Sequence, residues 1–136
     1  MAQLKVGAEL NDISMTQQQY ISNLHDQYVN FINYVFSLAD SLINLPQATD
    51  YDKQELDKVK LMLKSKDAES IEKELTYKNF SSSTLDKMEK LYKDLADFAL
   101  EHIHENEIWK MFIKQLCYSS IEMGKKDALM KLREVL

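Results

Sequence analysis

Between Ile21 and Leu45 the chain carries eight apolar residues, Ile21, Leu24, Tyr28, Phe31, Val35, Leu38, Leu42 and Leu45, at alternating steps of three and four. A strand repeats every two residues and would scatter these side chains over both faces. A helix of 3.6 residues per turn gathers all of them on one side. Val29, Ile32, Phe36, Ala39 and Ile43 widen the stripe, and a second register, Asn23, Asp26, Asn30, Asn33, Ser37, Asp40 and Asn44, is polar throughout. The pattern predicts an amphipathic helix of about 30 residues whose buried face is broader than a two-stranded coiled-coil seam. Ser14 and Thr16, each followed three residues later by Gln, are its candidate caps, and residues 1–13 read as a loose lead-in. Pro46 stops it.

Further helices follow. Thr49 or Asp50 can cap a second helix with Leu56, Val59, Met62 and Leu63 inward. A break is expected at 65–67, with a short continuation from Asp67 through Ile71, Leu75 and Tyr77. The serine-rich stretch 81–84 is a linker, with Ser83 or Thr84 capping a helix that carries Leu85, Met88, Leu91, Leu95, Phe98 and His102. The run 101–107 is read as a tight turn with Asn106 as a cap, the alternative being one helix of about 40 residues. Trp109, Phe112 and Leu116 extend a last main stripe toward Gly124, and residues 127–136 can form a final short helix. With only two Gly and one Pro in 136 residues, the tight turns of a β-sandwich or barrel have too little material. The expectation is a single all-α domain over residues 1–136, an antiparallel bundle of four main helices with short extra helical segments.

Charge narrows the classes of partner. The 17 Lys and Arg against 22 Asp and Glu leave a net charge of −5, and 16 of the 17 basic residues are Lys. This sign disfavours nucleic acid and anionic membranes. Residues 6–52 contain no Lys or Arg but six carboxylates, Glu9, Asp12, Asp26, Asp40, Asp50 and Asp52, so the negative excess belongs to the first third. The longest charge-free run in the first helix, 27–39, is too short and too polar to span a bilayer. No signal-peptide pattern is evident at the start, and Cys117 is the sole cysteine, which suits a reducing cytoplasm.

Chemistry-bearing clusters are sparse. Glu101 and His104 have the Glu-x-x-His spacing of di-iron bundles, but His25 lacks a matching partner at that spacing. His102 and His104 lie about 200° apart around a helix and cannot share a metal. His102 falls on the apolar stripe and His104 on the solvated side. Cys117, between Leu116 and Tyr118, reads as a small core residue. Phosphate-binding loops, nucleophile elbows and zinc-ligand spacings are absent. No catalytic, cofactor-binding or metal-ligating residue is therefore expected.

The leading expectation is a non-enzymatic module that binds another protein, one of basic character, as an inhibitor, immunity-type protein, chaperone or adaptor does. Asp26, Asn30, Asn33, Asp40 and Asn44 are its candidate contact residues, and the chain would act as a monomer or homodimer. The alternatives are a bundle that holds a small apolar ligand or metal between its helices, and a homo-oligomeric structural protein.

Overall fold

A computed structural model describes the backbone of residues 2–118 and the side chains of residues 17–116. The chain is an all-helical bundle: α1 (Ala2–Ile43), α2 (Asp50–Leu63), the short α3 (Lys66–Glu74), α4 (Ser82–His102) and α5 (Glu107–Tyr118). Among the described residues there is no strand. Gly124, the segment 127–136 and the side chain of Cys117 lie outside the described residues.

α1 departs from expectation at its start. It is helical from Ala2, so residues 2–13 continue the helix rather than forming a loose segment ahead of it, and neither Ser14 nor Thr16 caps it. Amphipathic period is absent there, but Ala2, Gln3, Leu4, Lys5, Ala8, Glu9 and Leu10 all rank high in helix propensity, and one glycine costs only about 1 kcal/mol. At 42 residues α1 is about 63 Å long, twice the length of α4. Its stripe forms one wall of the core: Ile21, Leu24, Tyr28, Phe31, Val35 and Leu42 are buried, with Leu38 and Leu45 half-buried.

The other boundaries follow local capping chemistry. Thr49 caps α2 in a reciprocal box with Asp52, the hydroxyl accepting from the Asp52 N–H and the carboxylate from the Thr49 N–H, each at 3.0 Å. Ser65 caps α3, one residue earlier than the sequence suggested, by accepting from the Ala68 N–H. α4 starts after Ser81 rather than Ser83 or Thr84; Thr84 is instead turned inward and its hydroxyl accepts from the Ser81 N–H. The stretch 84–118 is two helices, and Asn106 opens the second by accepting from the Ile108 N–H.

α2 presents Leu56, Val59 and Leu63 to the core, α3 Ala68 and Ile71, α4 Met88, Leu91, Tyr92, Leu95, Ala96 and Ala99, and α5 Ile108, Trp109, Phe112, Ile113 and Leu116. Phe31 of α1 meets Tyr92 of α4 edge to face, with ring centroids 4.7 Å apart. Two tyrosines tie α1 to its neighbours: Tyr28 donates to the Ala68 carbonyl and Tyr34 to Gln115 Oε1. Burial, with the nearby charge of Glu72, pushes the Tyr28 phenol well above its ordinary value.

Candidate functional site

Two regions concentrate polar groups. The first is the face of α1 that the sequence singled out. Asp26, Asn30, Asn33, Asp40 and Asn44 are all exposed, together with Asn23 and Ser37, and form a strip along the helix with Asn44 one residue past its end. The strip is not wholly free of cations, because Lys60 of α2 reaches across to Asp40 at 3.0 Å. Lys60 and Lys64 also stand over the Phe36 ring at 5.0 and 4.8 Å. Within the strip Asn44 donates to the Asp40 carbonyl, and Asp26 lies 3.4 Å from His25 Nδ1. Asn30 and Asn33 lie midway along it, between Asp26 and Asp40.

The second region escaped the sequence reading. Where the start of α2 meets the α4–α5 turn, Asp52 is 1% exposed and acts as a hub. Its carboxylate accepts from the Thr49 N–H, from Asn106 Nδ2 at 2.9 Å to each oxygen, and from Trp109 Nε1 at 3.3 Å. Burial alone would push this carboxyl up, but the hydrogen bonds from Thr49, Asn106 and Trp109 outweigh it and leave the group below its ordinary value.

One turn further along α2, Glu55 Oε1 lies 2.9 Å from His102 Nε2, and Lys58 Nζ lies 2.6 Å from Glu55 Oε2. Lys58 is the main reason the Glu55 carboxyl sits below its ordinary range; burial opposes it and the His102 contact adds to it. The His102 ring is stacked on Phe98 and tilted against Trp109, with centroids 4.7 and 4.2 Å away. Tyr51 closes the outer side, donating to Glu105 and standing 3.4 Å from His102 Nε2. Loss of hydration, then the hydrogen bond to Glu105 and the negative charge of Glu105, Glu55 and Asp52, hold the Tyr51 phenol above its ordinary value.

The histidine run is therefore divided: His102 is buried, while Glu101 and His104 are exposed. Both His102 nitrogens are engaged, Nδ1 with the Phe98 carbonyl and Nε2 with Glu55, which leaves no free nitrogen for a metal or a substrate proton. Among the described residues no three His, Cys, Asp or Glu side chains group as metal ligands. A crevice of about 290 Å³ opens between α2, α3 and α4, with Met62 and Leu91 as apolar lining. Asp67, Lys87, Lys90 and Asp94 also line it, so both signs of charge face the same space and select no ligand class.

One signal could have revealed the junction. In α2, Asp52 precedes Leu56, Val59 and Leu63 at steps of four, three and four, and His102 likewise ends the α4 stripe. Both polar residues occupy core positions at the same end of the bundle.

No family model matches the chain, and neither the curated proteins nor the solved structures compared with it include a match. Among the described residues no helix is long and apolar enough to cross a membrane.

Proposed function

We propose that this chain is a non-enzymatic protein-binding module, of the inhibitor, immunity, chaperone or adaptor kind, that meets a basic protein partner through the exposed strip of α1. The observation that carries this reading is the strip itself: Asp26, Asn30, Asn33, Ser37, Asp40 and Asn44 exposed in one line, on a helix with no Lys or Arg after Lys5. Exposed amides supply both donors and acceptors, and the carboxylates supply a field that steers a cationic surface toward them. The polar junction supports the same reading, since its donors and acceptors are spent on holding helices together. The module would work in the cytoplasm, as a monomer or homodimer.

The test begins with the partner isolated from the native source and proceeds to association rates with purified components. Asp26→Lys combined with Asn33→Lys leaves the Asp40–Lys60 pair intact. It should slow association several-fold without altering the helical circular dichroism spectrum. Added salt should slow the unaltered pair as the screening length shortens toward ~8 Å at 0.15 M. Rates indifferent to both salt and the double substitution would rule the α1 strip out as the contact.

A further inference from the structure

The neighbours of the His102 ring, at the α2–α5 junction, demand a particular protonation state. Its Nδ1 lies 2.9 Å from the Phe98 carbonyl oxygen and its Nε2 lies 2.9 Å from Glu55 Oε1. A carbonyl oxygen and an ionised carboxylate only accept, so both contacts are hydrogen bonds only when each ring nitrogen carries a proton. A neutral ring has a single N–H. Either tautomer then points a nitrogen lone pair at an oxygen lone pair, inside a site where His102 is 4% exposed and water cannot intervene. Moving the proton to Glu55 would also satisfy the geometry, but the Lys58 ammonium on the other carboxylate oxygen keeps Glu55 ionised.

We propose that the Glu55–His102 pair is a proton-dependent clasp, closing α2 onto the α4–α5 turn while the ring holds both protons and loosening as pH rises and one is lost. The groups that face the ring come from every element around it. α2 brings Tyr51, Glu55 and, through Glu55, Lys58, with Asp52 on the adjoining Trp109 edge. α4 brings the Phe98 carbonyl, the turn brings Glu105 through Tyr51 and Asn106 through Asp52, and α5 brings Trp109. The described charged residues of α1 are engaged elsewhere, Asp26 with His25 and Asp40 with Lys60. Among the described residues the ring thus sits with three carboxylates, Asp52, Glu55 and Glu105, and one ammonium, Lys58. The clasp is closed while the ring carries both protons and Glu55 is ionised, and it opens when either condition fails.

Trp109 is the sole tryptophan, and its ring lies against His102. An imidazolium quenches indole emission by accepting an electron from the excited ring, and a neutral imidazole does so far less. When the whole chain is titrated from about pH 5 to about pH 9, across the range where histidine changes charge, its emission should rise along a one-proton curve. The thermal unfolding midpoint should fall by several degrees over the same interval. Glu55→Gln removes the charge that holds the imidazolium, so most of the fall in midpoint should vanish and the emission transition should move to lower pH. His102→Gln should abolish the emission transition. If that variant fails to fold, the titration of the unaltered chain and of Glu55→Gln still decides. Flat emission in the unaltered protein, or a fall in midpoint that Glu55→Gln shares in full, would overturn the clasp.

Discussion

Asp52 and Glu74 do the same job by different means. Each is a carboxylate that fastens one helix to a later part of the chain. Asp52, buried at the start of α2, takes uncharged N–H donors from Thr49, Asn106 and Trp109. Glu74, half-buried at the end of α3, takes the hydroxyls of Ser70 and Thr84 and the ammonium of Lys87. Burying a second charge beside Asp52 would add another desolvation cost, whereas neutral donors fixed by the backbone and by packed rings add little. Near the surface a lysine reaches its carboxylate while keeping much of its hydration, and that bond is weaker and open to screening. The contrast shows which carboxylate belongs to the core and which to the rim.

The largest effect should follow from Asp52→Ala. It removes the α2 capping box and strands the Asn106 and Trp109 donors, so denaturant unfolding should show a loss of about 2–4 kcal/mol. A loss no greater than that of an ordinary surface substitution would mean that the junction is not a core feature.

Acid should reveal the same hierarchy. Asp52, Glu55 and Glu74 all hold their carboxyls below the ordinary value. Groups depressed in the folded state stabilise it above the unfolded carboxylate range and lose that contribution as pH falls through their folded values. Stability should therefore decline below about pH 4, and Asp52→Ala should decline less steeply than the unaltered chain when both are followed by denaturant unfolding.

A smaller effect is expected at the rim. Glu74→Gln should destabilise less than Asp52→Ala, and the difference from the unaltered protein should shrink in about 1 M salt, where the screening length falls to roughly 3 Å. If salt leaves that difference unchanged while weakening the Asp52 junction, the comparison is inverted. The smallest effect belongs to Tyr92→Phe. The Tyr92 hydroxyl is buried and has no hydrogen-bond partner among the described residues, so its removal should leave stability unchanged or raise it by up to about 1 kcal/mol. Thermal unfolding of the two proteins side by side measures it.

The legible parts of this molecule were those governed by a repeating period. The α1 stripe, the Pro46 stop, the Thr49 and Asn106 caps and the opposite placement of His102 and His104 all follow from spacing of 3.6 residues and from short-range hydrogen bonding. Asp52 meets Trp109 across 57 residues and Glu55 meets His102 across 47, and local spacing can place such residues at core positions without saying which of them pair. Glu74 shows the same limit from the other side. Its spacing to Lys78 suggests an intrahelical pair on a solvated surface, but α3 ends at Glu74 and the carboxylate turns to Thr84 and Lys87 instead. The candidate contact strip on α1 was readable in full as to exposure, whereas the cation that α2 lends to Asp40 was not.

The order of the chain adds a constraint on how the bundle can assemble. α1 and α2 are joined by the short stretch 44–49, so the contacts between these two helices are local in the chain. The Thr49–Asp52 box completes within α2, but the other donors to Asp52 lie 54 and 57 residues downstream. Until α5 has emerged from the ribosome, Asp52 lacks the Asn106 and Trp109 donors that accompany its burial. Closure of the α2–α5 junction is thus a late event, and it can only follow synthesis of nearly all of the described chain.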